Sequence, residues 1–419
     1  MLAAAAFLRD RRAFFERAAS RGDVVPLRLG HRRLLLVNDP DLVREVFVTR
    51  AASFSRGFPA RFLRPVLGDG LLTAEGPSWA RQRPITRSAV DTAALPATLE
   101  QMAAAIARRC GTWHAGQFFD ARHELGALTY EVGCAALLGA DGPELPADLA
   151  AAWRGVWRGV FGVADLTWLA AGLPAVLETD GRRALRLIDR TIARLVRERR
   201  GAAPRRDVLG HLMEHAASDG EVRDQLVTLL FTSQDTTSVG LTWACALVAR
   251  DEAVADRVCA EARAVFGDGP LTGGAVSRLT FTGAVVLEAL RLYPPVWLES
   301  RDAIETCEVG PHRVERGVTV VVSPWLVQRD PRHYDRPHDF VPDRWLRADP
   351  PAMGGAYFPF GLGPRYCVGD RYARALMTLA LAAIARRHRL RIVPGQRIEV
   401  DARITLRPAP ALWMRVEDA

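Results

Sequence analysis

Apolar residues recur every third or fourth position over eight stretches of the chain, roughly 77–90, 97–113, 122–138, 180–200, 221–250, 252–266, 280–293 and 369–387, and each predicts a helix. Strand-like text is confined to the two ends. Val24–Leu29 and Arg33–Val37 flank Gly30-His31 and predict a hairpin. Val314 with Val318–Val322, and then Ile398–Leu406, predict pairs of the same kind. The pattern is that of a mainly α fold with a smaller β region. No Pro/Ser/Gly-rich linker and no repeat divides it, so residues 1–419 are expected to form a single large domain.

The stretch 221–250 departs from simple amphipathic text. Leu226, Val227, Leu229, Leu230 and Phe231 lead into Thr232-Ser233-Gln234-Asp235-Thr236-Thr237-Ser238, and Val239, Leu241, Trp243 and Ala244 follow. Seven consecutive polar residues cover every face of a helix, so some must point inward. A polar pocket in the helix wall is expected, with hydroxyls bonding back to carbonyls and bending the helix.

Charge adds a constraint. All 56 basic residues are arginine, against 48 acids, which leaves a net charge of +8. Such a surface invites acidic partners. The arginines are scattered, with no aromatic-interleaved stripe, so nucleic acid is not the expected partner. The six cysteines form no C-x-x-C pair, which fits a reducing compartment. The apolar run Leu2–Leu8 is too short to cross a bilayer, and no longer run occurs, so a cytoplasmic protein without a membrane anchor is expected.

The densest chemistry lies in Phe360-Gly361-Leu362-Gly363-Pro364-Arg365-Tyr366-Cys367-Val368-Gly369. Glycines and proline shape a tight loop that lets backbone approach a flat partner. Cys367 leaves it just before a helix, whose N-terminal N–H groups favour an anion, and Arg365 adds positive charge. A thiolate in such a place is an axial ligand for haem iron. The spacing Phe-x-x-Gly-x-Arg-x-Cys-x-Gly resembles the haem-binding loop of the cytochrome P450 family. The resemblance extends over about residues 20–415.

The resemblance implies roles for other residues. Asp235 and Thr236 match the acid–threonine pair of that family's oxygen-activating groove, where a hydroxyl and a carboxylate pass protons. Ser233 stands where the family usually carries glycine or alanine. Glu288 and Arg291, one helical turn apart, and Arg344 match a buried structural cluster behind the loop. Trp79, Arg83, Arg301 and Arg365 match positions that hold the haem propionates, and Phe360 opens the loop. Substrate-facing positions follow by analogy: Phe58 and Leu72 in a lid, with Phe62 and Leu71 beside them; Leu229, Thr232 and Ser233 on the long helix, with Thr228; Val296, Trp297 and Leu298 after the Tyr-Pro-Pro turn; and Ile404 at the last hairpin, near Ala402. Most are apolar, so a hydrophobic small molecule is the expected substrate.

The expected enzyme is a haem–thiolate monooxygenase using haem b, dioxygen and electrons from NAD(P)H, delivered by a separate ferredoxin or flavodoxin and its reductase. A secondary-metabolite substrate and a monomeric state are expected. Arg81, Arg87 and Arg371 are expected to form a positive docking rim for the acidic donor. Oxidative coupling or cyclisation on the same haem is an alternative. A second class comes from His211-Leu212-Met213-Glu214-His215, which fits H-x-x-E-H and would make a zinc hydrolase.

Overall fold

The helices predicted from periodicity are present within two or three residues of their expected ends. A computed structural model describes residues 2–91, 95–139, 151–153, 155–156, 179–203, 205, 207–351 and 355–419. Among the described residues the helices of eight residues or more are α1 (Leu2–Arg9), α2 (Arg11–Ala19), α3 (Gly76–Asp91), α4 (Leu95–Cys110), α5 (Ala121–Leu138), α6 (Thr179–Arg200), α7 (Val208–His215), α8 (Asp219–Val248), α9 (Glu252–Phe266), α10 (Thr280–Leu292) and α11 (Asp370–Arg387). None is long and apolar enough to cross a membrane among the described residues.

Helix α8 runs through the centre, packed on α5, α10 and α11. It starts where Ser218 accepts the Glu221 N–H, while the Glu221 carboxylate accepts the Ala217 N–H. Its closest crossing is at Gly240, where a Cβ would come within 2.8 Å of the Met377 sulfur and 3.3 Å of Leu290. The polar centre does not interrupt it. Thr232, Thr236 and Thr242 each donate to the carbonyl four residues earlier, at 2.8, 2.7 and 2.7 Å. The expected back-bonding is therefore present within one continuous helix.

The main sheet has the order β1 (Val24–Leu29), β2 (Arg32–Val37), β8 (Thr319–Val322), β5 (Glu299–Ala303), β3 (Phe54–Arg56). β1 and β2 form the expected antiparallel hairpin, with Val24 opposite Val37. β8 lies parallel to β2, so it is no hairpin partner of Val314. Val314 ends β7 (His312–Val314), which pairs instead with β6 (Cys307–Val309). At the C-terminus β10 (Glu399–Ala402) and β11 (Leu406–Ala409) form the expected hairpin. β4 (Phe118–Asp120), β12 (Trp413–Asp418) and β9 (His388–Ile392) make a further sheet.

The N-terminal apolar run sends one residue, Phe7, into the core, while Leu8 stays exposed. Phe7 and Phe15 are fully buried, and Phe15 meets the edge of Trp297. α1 and α2 thus back the segment that carries Trp297.

Candidate active site

Helix α8, the Cys367 loop, β5 and the turn between β10 and β11 enclose a cavity of about 410 Å³. The loop is closed by the Cys367 N–H donating to the Phe360 carbonyl at 3.0 Å, around a short turn at Gly363–Arg365. Gly363 has φ +70°, and a Cβ there would lie 1.9 Å from the Phe47 carbonyl oxygen. Only glycine permits that approach. The Cys367 side chain opens into the cavity and is enclosed by protein elsewhere. Burial pushes its thiol up to about 11, against a Gly369 N–H bond and the charges of Arg83 and Arg56, which favour the thiolate. A metal that takes this sulfur as ligand displaces the proton. Arg365 does not supply the charge expected of it there. It donates to the Ala74 carbonyl and pairs with Glu75, its guanidinium lying over Trp79.

Four arginines crowd one end of the cavity: Arg56, Arg83, Arg301 and Arg365. The carboxylates beside them are Glu75, paired with Arg365, and Glu299, 3.6 Å from Arg301. Asp370 also acts on Arg83, and Arg56 has no ion pair among the described residues, so the corner stays positive. Burial, followed by the like charges of Arg301 and Arg365, lowers Arg56 to about 9. Its guanidinium makes no hydrogen bond among the described residues, whereas its backbone N–H is held by Glu75. Burial also lowers Arg83, Arg301 and Arg365. The corner is suited to a dianion, and the open thiol is suited to a metal that takes a thiolate ligand. Iron porphyrin with two propionates meets both conditions. Arg56 escaped sequence analysis, since one arginine among 56 carries no distinguishing signal.

Trp79, Arg83, Arg301, Phe360, Arg365 and Cys367 all line this cavity, together with Leu72, Leu229, Thr232, Ser233, Thr236, Val296, Trp297, Leu298 and Ile404. Phe62, Leu71 and Thr228 line it too. Phe58 does not: it starts a short helix and lies under the Arg32 guanidinium, 3.8 Å from ring centroid to charge. Ala402 packs in the core beside Leu406. Trp297 is almost wholly buried and is as much core as wall.

Asp235 is turned out of the cavity. Its two oxygens accept Thr405 Oγ1 and Arg407 Nη2, each at 2.8 Å. Thr236 lines the cavity with its hydroxyl proton given to the Thr232 carbonyl, leaving its oxygen free to accept.

Behind the loop, Glu288, Arg291 and Arg344 meet, at 0%, 0% and 3% exposure. Glu288 accepts two bonds from Arg291, one from Arg344, one from the Trp345 indole and one from the Val341 N–H, at 2.8–3.0 Å. Gln328 ties this cluster to the loop: its amide donates to the Leu290 and Arg291 carbonyls and accepts the Phe358 N–H.

One alternative and one expectation fail. His211 and His215 stack ring on ring at 4.2 Å, and no group of three His, Cys, Asp or Glu is placed to hold a metal ion among the described residues. A zinc site needs three or four such ligands. Arg81 is no free docking cation, because it forms a two-pronged pair with Glu221 at 2.9 and 2.8 Å. Arg87 and Arg371 are exposed.

Comparison with known proteins gives the same picture. The family model for Cytochrome P450 matches residues 9–413. Cyclooctatin synthase of Streptomyces melanosporofaciens is 36% identical, over 95% of this chain and 89% of the relative. Pentalenene oxygenase of Streptomyces avermitilis is 30% identical, over 96% and 92%. The structure of a cyanobacterial CYP120A1 with bound retinoic acid superposes with a TM-score of 0.87, covering 99% of this chain and 96% of that one, at 23% identity. That likeness concerns the fold.

Proposed function

This chain belongs to the cytochrome P450 family, and from that premise we propose that Cys367 would hold the iron of haem b through its sulfur and that Arg56, Arg83, Arg301 and Arg365, with Trp79, would hold its propionates. The enzyme is a haem–thiolate monooxygenase acting on a hydrophobic small molecule in secondary metabolism, with electrons from separate redox proteins. The observation that carries the assignment is a thiol open to the same cavity as four arginines, of which Arg56 has no ion pair among the described residues.

Haem iron, when bound, would supply dioxygen activation, with the Cys367 thiolate as its electron-rich sulfur ligand. The chain supplies the surroundings. Leu72, Leu229, Val296, Leu298 and Ile404 give an apolar wall that orients a hydrocarbon-like substrate and excludes water. Thr236 Oγ1, with its own proton committed to Thr232, accepts a hydrogen bond from the oxygen side. Asp235, one residue away, is the proton source that reloads it. Ser233 adds a second hydroxyl on the same wall.

The relatives' names, pentalenene oxygenase and cyclooctat-9-en-7-ol 5-monooxygenase, support an olefinic carbon skeleton with little oxygen as substrate. Electrons come from NAD(P)H through a ferredoxin or flavodoxin and its reductase, docking near Arg87 and Arg371. The protein acts as a cytoplasmic monomer. Incubation of the haem-loaded protein with surrogate redox proteins, such olefins and labelled dioxygen tests this: one labelled oxygen per product is expected. Products formed by desaturation or ring closure, without label, would favour oxidative coupling.

A further inference from the structure

The hairpin turn that faces the cavity also holds Asp235. Arg403, Ile404 and Thr405 form the turn between β10 and β11, and all three line the cavity. Thr405 Oγ1 donates to Asp235 Oδ2 at 2.8 Å, Arg407 Nη2 donates to Asp235 Oδ1 at 2.8 Å, and the same Arg407 nitrogen donates to Thr405 Oγ1 at 3.0 Å. The triangle is closed and mostly dry, with Thr405 at 2% exposure and the Asp235 side chain at 15%. Both carboxylate oxygens are engaged, and Asp235 does not line the cavity, whereas Thr236 and Thr405 do.

Leu406, just past the turn, is pinned. Its N–H donates to the Pro295 carbonyl at 3.0 Å, and its carbonyl accepts the Trp243 indole at 2.7 Å. Arg403 is held as well, its carbonyl accepting the Trp297 indole at 3.4 Å and its guanidinium pairing with Asp401, so Ile404 and Thr405 are the turn residues that an occupant of the cavity would press. Ile404 lines the cavity, and its neighbour Thr405 donates to the acid.

We propose that Thr405 and Arg407 are positioning residues that clamp Asp235 away from the cavity, and that pressure of an occupant on Ile404 opens the clamp, so that protons are released when a substrate is in place. The proposal rests on the monooxygenase reading of the site. Its consequence is protection against waste. Protons delivered to an empty cavity let reduced dioxygen leave as peroxide, NADPH + H⁺ + O₂ → NADP⁺ + H₂O₂, with two electrons passing from the nicotinamide to oxygen.

The test is NADPH consumption and peroxide release by the haem-loaded protein with surrogate redox proteins and no added substrate. Arg407→Gln and Thr405→Val each remove part of the clamp. Both are expected to raise the leak about tenfold or more, as loss of a hydrogen bond to a charged group implies. Arg407→Lys is expected to restore the low rate. Arg407→Gln combined with Asp235→Asn should leak no faster than Asp235→Asn alone, because the clamp acts through the acid. Ile404→Trp places bulk against the turn from the cavity side and should raise the leak with no substrate present. Amide exchange over residues 403–409, measured on the same haem-loaded proteins, should quicken in Arg407→Gln, Thr405→Val and Ile404→Trp. Should Arg407→Gln not fold, Thr405→Val carries the comparison. An unchanged leak in Arg407→Gln and Thr405→Val overturns the clamp, as does a leak that persists in the double variant. An unchanged leak in Ile404→Trp overturns its opening by an occupant. A wild-type protein with no NADPH consumption and no thiolate-type carbon monoxide band fails the monooxygenase reading and takes the clamp with it.

Discussion

Replacing Glu288 by alanine strips five hydrogen bonds from one buried carboxylate and leaves two guanidinium groups in the core. Arg291 keeps bonds to the Gln328, Pro337 and Asp339 carbonyls, and Arg344 to those of Asp335 and Arg336. Both charges nonetheless lose their counter-ion at 0% and 3% exposure. Removing one partner of a buried pair costs about 3–5 kcal/mol. A folded domain holds about 5–15 kcal/mol in total. The loss also reaches the loop, because Gln328 binds both the Arg291 carbonyl and the Phe358 N–H. The control is Asp343→Ala, next to Arg344 in sequence. It breaks only an exposed pair with Arg257, about half exposed on each side and worth at most about 1 kcal/mol. Haem content per purified protein and thermal melting are the assays. Glu288→Ala should give little haem-loaded protein, and Asp343→Ala should resemble wild type. Equal melting and haem content in the two variants would refute the reasoning.

Other expectations are more local. Thr236→Ala loses only a back-bonded hydroxyl, so substrate-induced spectral shifts should persist while coupled turnover falls on the order of 10²-fold and peroxide rises; unchanged product per NAD(P)H would assign the proton to another group. Gly363→Ala drives a Cβ into the Phe47 carbonyl at a backbone angle that alanine resists, and should abolish haem loading; a fully loaded variant would contradict the loop geometry. Arg56→Gln should lower haem retention more than loss of an exposed arginine such as Arg397; equal retention would remove Arg56 from the propionate site. Reversing charge at Arg87 and Arg371 should slow reduction by a ferredoxin and flatten its salt dependence; unchanged kinetics would move the docking face.

Much of this arrangement is written locally in the chain. The long helices carry their 3.6-residue period, and the Cys367 loop carries fixed spacings that geometry demands of any chain passing so close to Phe47. What escaped prediction depends on contacts far apart in sequence. Thr405 and Arg407 reach Asp235 across 170 and 172 residues, and nothing near them in sequence announces it. β5, β9 and β12 read as Glu-Ser-Arg-Asp-Ala, His-Arg-Leu-Arg-Ile and Trp-Met-Arg-Val-Glu-Asp, too charged for the β-branched signal, and they are strands because a neighbouring strand pairs with them. Phe58 shows the converse. Its place in a stretch resembling the family's lid suggested the cavity, but Arg32 from β2 offers its ring a cation instead.

The central claim is that Cys367 is the thiolate ligand of haem iron. Its most direct test is the difference spectrum of the reduced protein with carbon monoxide, for wild type and Cys367→His. Wild type should show the strongly red-shifted Soret band of thiolate-ligated haem, and Cys367→His should lose that band even where haem is retained. Persistence of the band in Cys367→His, or its absence from haem-loaded wild type, would contradict the assignment.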